Sequence, residues 1–285
     1  AAATEAVALC GRLPLTVSIA GRLIQDMADS WTEELVPLLC VDHAAELREH
    51  NAAGDGDMTV EGRVIAASLR SVKAADRPGV LALFTHLAIF PEDARVPSAV
   101  FDALAPQIVS AAKNDRPADP GFAQASASSA IIPAGVRQRL NVQVRKWLQE
   151  LLRASLVNGS IASGVSTHDI VRNAARSRAG AALPQLQRTC LEALLTARPK
   201  SGYHEGAATA RCQEAKTPQE QLCLYVTRSL HHHVAGAAHE AATPVQDDPL
   251  LLRALQHKDD AVRAQARAPM PMLAPMLAPM LAPML

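Results

Sequence analysis

Apolar residues in this chain recur mostly at three- and four-residue steps, so the pattern predicts helices along most of its length. Leu140, Val144, Trp147, Leu148, Leu151 and Leu152 give the clearest run. Val64, Ile65, Leu69 and Val72 form one amphipathic face upstream; Val80, Leu81, Leu83, Phe84, Leu87 and Ala88 form a second, and Val96, Val100 and Leu104 a third. Phe90-Pro-Glu-Asp93 is expected to end the second, because the residue before a proline avoids the α region. Near the start, Gly11 suits a helix C-terminus and Pro14 the first turn of the next helix, whose stripe is Val17, Ala20, Leu23 and Ile24. Two further stripes lie downstream, Leu183, Leu186, Cys190, Leu191, Leu194, Leu195 and Leu222, Tyr225, Val226, Leu230, Val234. The helical rhythm breaks at 154–169. There Leu156-Val157 and Ile161 or Val165 flank Asn158-Gly159, a two-residue hairpin signal. Ser166-Thr-His-Asp169 then has the form of a capping box opening a helix through Ile170, Val171, Ala174 and Ala175. That places His168 in the first helical turn, where unpaired N–H groups and the helix dipole favour an anion such as phosphate.

Composition sharpens this reading. In 285 residues, 49% are apolar but only 3% aromatic, which favours alanine-rich helices in close contact. Residues 110–135, rich in Ala, Ser, Pro, Asp and Gly, read as a flexible insertion. At 268–285, an Ala-Pro-Met-Leu repeat places proline too often for a helix or central strand, so a disordered low-complexity tail is expected. Twenty-eight basic residues balance 28 acidic ones, so nucleic acid is not expected as a partner. Arg137, Arg139, Arg145, Lys146 and Arg153 are read as the polar face of a half-buried helix. Five irregularly spaced cysteines suggest reduced thiols, and neither a signal peptide nor a membrane-length apolar run occurs. A cytoplasmic protein with no membrane association follows as the expectation. The chain opens without Met on a helical stretch, as a piece of a longer protein would.

Candidate chemistry is sparse. No Gly-x-x-x-x-Gly-Lys-[Ser/Thr] loop occurs, nor an apolar strand ending in paired Asp residues, so no catalytic residue is assigned. His43, Glu46 and His50 read as a solvated helix end, and Asp55-Gly-Asp57 falls short of a calcium loop. Cys212, Cys223, His231-His-His233 and His239 share a region, but their spacing is not that of a zinc finger, and no metal site is assigned.

Two motifs carry a resemblance. Cys10-Gly-Arg-Leu-Pro-Leu15 resembles the Cys-Gly-Gly-Leu-Pro-Leu segment of the helical subdomain of NB-ARC signalling ATPases (the STAND class), with Arg12 where that family usually has Gly. Val165-Ser-Thr-His-Asp169 resembles the Met-His-Asp motif that closes the family's winged helix, and Phe90-Pro-Glu-Asp93 between them resembles its Phe-Pro-Glu-Asp signature. The resemblance implies a mainly α fold: a helical subdomain over 1–50, and a winged-helix domain with a small β-hairpin over 58–178. A helical linker or the start of helical repeats follows over 181–265, where 249–263 is similar to half of a HEAT-type unit. It also implies that ADP or ATP is shared with an upstream phosphate-loop domain, Pro14 lying against adenine and His168 meeting the phosphates. The chain alone would not hydrolyse ATP, although its parent would be a slow ATPase switch in signal transduction, working with other protein domains or further copies of itself. The alternative from a different class is a nucleotide-independent helical scaffold or adaptor.

Overall fold

The computed structural model describes residues 2–40, 59–114, 133–197, 217–238 and 248–254. These residues form a mainly helical protein with one small antiparallel sheet. The readings at His43–His50, Asp55–Asp57, Cys212, His239 and the 268–285 tail lie outside them, as does most of the 249–263 half-repeat. Helix α1 is Ala2–Leu9, α2 Pro14–Met27 and α3 Trp31–Cys40. Helices α1 and α2 each pack on α3, and α2 and α3 lie on α4, Val60–Ser71. Thr59 caps α4, its hydroxyl accepting from the Gly62 N–H at 3.2 Å. The second group is α5 Arg77–His86, α6 Ser98–Asn114 and α7 Ala134–Arg153. A 3₁₀ turn, Leu87–Ile89, follows α5.

The expected core faces are where the periodicity put them. Val64, Ile65, Leu69, Val80, Leu83, Phe84, Val100, Leu104, Val144, Trp147, Leu148 and Leu151 are all buried in one continuous core. Helix α6 runs through Pro106 to Asn114, so the first residues of the 110–135 stretch are helical rather than part of a loop. Ile108, Val109 and Ala112 explain this: they extend the apolar stripe to the last turn, and all three are buried.

The hairpin is real but its turn is displaced. Strands β1, Asn158–Ser160, and β2, Gly164–Ser166, pair with Gly159 opposite Val165, so Asn158-Gly159 lies in a strand and residues 161–163 make the turn. Gly159 is still required, because a Cβ there would sit 2.4 Å from the Gly164 carbonyl. Val96 adds a bridge to Val165 on the outer side, its N–H donating to the Val165 carbonyl at 2.7 Å and its carbonyl accepting from the Val165 N–H at 2.9 Å. The hairpin is thereby tied to the residues before α6. Helices α8, Asp169–Ala179, α9, Leu183–Ala197, and α10, Pro218–Ala238, complete the order. Helix α9 packs chiefly on α10, and both lie on α6.

Helices α5 and α7 approach closely at one glycine. A Cβ on Gly79 would fall 1.9 Å from Cε2 of Trp147, so the indole lies directly on the helix backbone. Gly79→Ala is expected to cost about 1–3 kcal/mol by overpacking, read as a lower urea midpoint. Adding Trp147→Leu should recover part of that loss; equal midpoints for Gly79→Ala and the parent chain would refute the close approach.

Candidate functional site

The segment Cys10-Gly-Arg-Leu-Pro14 turns sharply between α1 and α2. Gly11 and Arg12 both adopt positive φ, +62° and +58°. The buried Thr16 hydroxyl locks the corner; it lies 2.6 Å from the Cys10 carbonyl and 2.9 Å from that of Leu13. Pro14 occupies the first position of α2, where its missing N–H costs nothing. Leu13 and Pro14 are exposed, so the ring presents an apolar surface free of donors.

His168 is the N-cap of α8 rather than a residue of its first turn, and Asp169 is the first helical residue. The expected capping box is not formed, because Ser166 is used in β2. Instead the Ile170 N–H donates to Asp169 Oδ1 at 2.8 Å, while His168 Nδ1 lies 3.3 Å from the same nitrogen. His168 Nδ1 also contacts Asp169 Oδ1. One nitrogen cannot both accept from Ile170 and donate to Asp169. The shorter contact takes the Ile170 proton, and Nδ1 shares its own proton with the Asp169 carboxylate. Asp169 therefore orients the ring, by a direct bond and not through Ser166. The His168 Nε2 has no protein partner among the described residues, and 44% of the side chain is exposed.

Pro14 and His168 are not in direct contact through any hydrogen bond or ion pair among the described residues. The helices that carry them, α2 and α8, both pack on α4. Two bonds strengthen this side of the molecule: Arg22 Nε donates to the Arg153 carbonyl at 2.7 Å, and Ser68 Oγ reaches the Ala154 carbonyl at 3.5 Å. The basic residues of α7 are largely engaged by acidic ones. Arg145 grips Asp102 at 3.0 and 2.5 Å, Lys146 meets Asp76 at 2.8 Å and Arg153 meets Glu150 at 3.4 Å.

No family model and no curated protein matches the chain.

The histidine run of α10 builds a polar seam. Gln187 Nε2 donates to the Ile89 carbonyl at 3.1 Å, which leaves its Oε1 to accept from His233 Nδ1 at 3.0 Å. His233 Nε2 is then a lone pair, and the Tyr225 hydroxyl donates to it at 2.9 Å. His232 Nε2 donates to the same Ile89 carbonyl at 3.1 Å. Cys190 Sγ lies 3.9 Å from His233 Nδ1, and burial pushes its thiol pKa up, so it stays protonated. Every polar atom of the His233 ring is thus engaged within the protein, and no group of three His, Cys, Asp or Glu residues able to hold a metal occurs among the described residues. Sequence reasoning passed over Gln187, although a glutamine on the Leu183–Cys190 stripe was the available signal. Gly236 admits it: a Cβ there would lie 2.8 Å from Gln187 Cγ and Cδ.

Two outcomes follow. Burial lowers the His233 pKa to about 3, and lowers those of His232 and His86 as well. A depressed folded value means that stability is full above the unfolded value near 6.5 and is lost as pH falls from there toward 3. Between pH 7.5 and 5, His233 alone should remove about 2 kcal/mol of unfolding free energy, and His233→Gln should flatten that slope in chemical denaturation. Arg12 pays a left-handed backbone cost that glycine avoids, so Arg12→Gly should stabilise the chain by about 0.5–1 kcal/mol. A lower melting temperature for Arg12→Gly would contradict the strained corner.

Proposed function

We propose that this chain is the regulatory part of an NB-ARC-type, nucleotide-switched signalling protein of the cytoplasm. In this reading residues 58–178 are its winged-helix domain. The order of elements supports that: two helices, the Val96 bridge, two helices, the hairpin and α8, with Val96 in the place of a third strand beside β2. Adenine nucleotide binds between this chain and a phosphate-loop domain, the face of Pro14 lying on the base. As the imidazolium, with a proton on each nitrogen, His168 donates to the phosphates through Nε2 while its Nδ1–H is held by Asp169.

The observation that carries the reading is the state of these two side chains. Both stand at helix starts and both are exposed, on helices that share α4 as a support. The His168 ring is held on one nitrogen and unpartnered on the other. A ligand spanning the two would favour the closed arrangement only by its difference in affinity between closed and open states. ADP supplies such a difference by bridging the subdomains, and exchange for ATP relaxes it. Other protein domains, or further copies of the same protein, take up the released state.

The experiment is nucleotide analysis of the protein that joins this chain to a phosphate-loop domain. Stoichiometric ADP should appear on denaturation. A charge-assisted hydrogen bond contributes about 1.5–3 kcal/mol, so His168→Ala should weaken ADP retention roughly 10- to 150-fold and raise basal signalling. Pro14→Ala should weaken retention too. An intact, folded protein without bound nucleotide, and unchanged by both substitutions, would leave a nucleotide-independent helical scaffold as the function.

A further inference from the structure

The two ring nitrogens of His168 stand in different surroundings. Nδ1 faces Asp169 Oδ1, the oxygen to which the Ile170 N–H also donates at 2.8 Å. An ionised carboxylate only accepts, so the proton of that contact belongs to Nδ1. A neutral imidazole has a single N–H. When the His168 ring is neutral, Nε2 is therefore a bare lone pair, and it has no partner among the described residues. The opposite neutral form would set an Nδ1 lone pair against the carboxylate. The Ile170 N–H lies 3.3 Å from Nδ1 and is already committed to Asp169, so it does not offset that repulsion.

Asp169 is the one ion-pair partner of His168 among the described residues. On α8 itself, Arg172 is taken by Glu92, and Arg176 and Arg178 lie more than two turns further on. Helix α8 packs on α4, on α5 and on the 3₁₀ turn Leu87–Ile89, which carries no ionisable residue. On α5, Arg77 is bound to the Arg70 and Val72 carbonyls and His86 to the Ala82 carbonyl. On α4, Glu61, Arg63 and Arg70 form no ion pair with His168. Beside the hairpin, Arg95 packs on Gly164 and forms none either. The charge of the ring is thus set by Asp169 and by whatever meets Nε2.

An ionised phosphate oxygen also only accepts. Against the neutral ring it meets a lone pair and is repelled; against the imidazolium it receives a charge-assisted hydrogen bond. One proton therefore decides whether the same side chain holds or rejects the same ligand. We infer that ADP and a proton on His168 Nε2 are taken up together, so that raising the pH releases ADP from the closed state. This inference rests on the nucleotide reading above and adds the proton as a regulator of that site. The coupling is reciprocal: ADP favours the protonated ring by the same factor as the protonated ring favours ADP. Asp169 is a positioning residue here, because it fixes which nitrogen is left to the ligand, and its charge supports the imidazolium.

Two measurements test this. In the full chain, the ring ¹H–¹⁵N spectrum of His168, assigned by its loss in His168→Gln, is recorded at a pH where the ring is neutral. The Nδ1–H form is expected. A neutral ring protonated on Nε2 would overturn the inference, since it could donate to phosphate without taking up a proton. In the protein that joins this chain to a phosphate-loop domain, ADP retention is then measured between about pH 6 and 9, relative to His168→Gln at each pH. The glutamine amide donates at every pH, so the ratio removes the titration of the nucleotide and of the other domain. The side chain is 44% exposed, so the substitution leaves the core intact. Once the free ring has lost its proton, the ratio should fall roughly tenfold for each pH unit. Asp169→Asn should start the fall at lower pH, because the imidazolium loses a neighbouring negative charge. A ratio that does not change with pH overturns the proton coupling and leaves the nucleotide reading in place. No retained nucleotide at any pH overturns both.

Discussion

The C-terminal half of the molecule depends on how the corner at residues 88–92 is satisfied. A helix that ends at a proline leaves carbonyls without intrahelical partners, and here that end is buried: Ala88, Ile89 and Phe90 are almost wholly removed from solvent. Side chains from three later helices supply the missing donors. Arg176 of α8 reaches the Ala88 carbonyl at 3.4 Å, while Gln187 of α9 and His232 of α10 share the Ile89 carbonyl at 3.1 Å each. Arg172 of α8 takes the Glu92 carboxylate at 2.8 Å. Phe90 stands edge-on to Phe101, Tyr225 and His233, at ring separations of 5.4, 6.3 and 6.5 Å. Unmaking these bonds would leave a buried carbonyl unpaired, at a cost of about 1–3 kcal/mol each, so the three helices are bound to one register.

That arrangement makes α8 a mechanical link. Its first end carries His168 and Asp169, and one to two turns later Arg172 and Arg176 hold the corner on which α9 and α10 also rest. An eleven-residue helix is about 16 Å long and stiff, so a shift at the His168 end displaces the arginines as well. Burial, and after it repulsion from Arg172, lowers the Arg176 pKa, Glu92 opposing the effect. The corner is consequently held by groups that gain from staying in place individually but do not reinforce one another as charges.

Most of the helical architecture was legible because burial here follows a single period. The stripes from Val64 to Leu230 predicted both the helices and the faces they bury, and Phe90-Pro91 marked the corner correctly. The errors share a physical cause, competition between a local signal and a longer-range partner. Asn158-Gly159 is a strong turn signal in isolation, yet pairing Gly159 with Val165, itself bonded to Val96, moved the turn to 161–163. Ser166 is a good cap, but β2 consumed it and the helix began later. Pro14 was legible as a helix start, and Arg12 as an oddity that its positive φ now explains. The polar seam was not legible, since it requires knowing which helices meet.

The two polar sites on the apolar stripes, His86 and His233, illustrate why such residues are tolerated. Each occupies a position where leucine would bury more apolar surface, and each is neutral because burial penalises the imidazolium. They differ in satisfaction. His233 has both nitrogens engaged, by Gln187 and Tyr225, so its burial creates a directional joint between α9 and α10 that an apolar contact could not specify. His86 has one nitrogen engaged and the other turned over to a cavity walled by alanines. The same alanine-rich composition that lets helices approach closely at the seam leaves space beside His86.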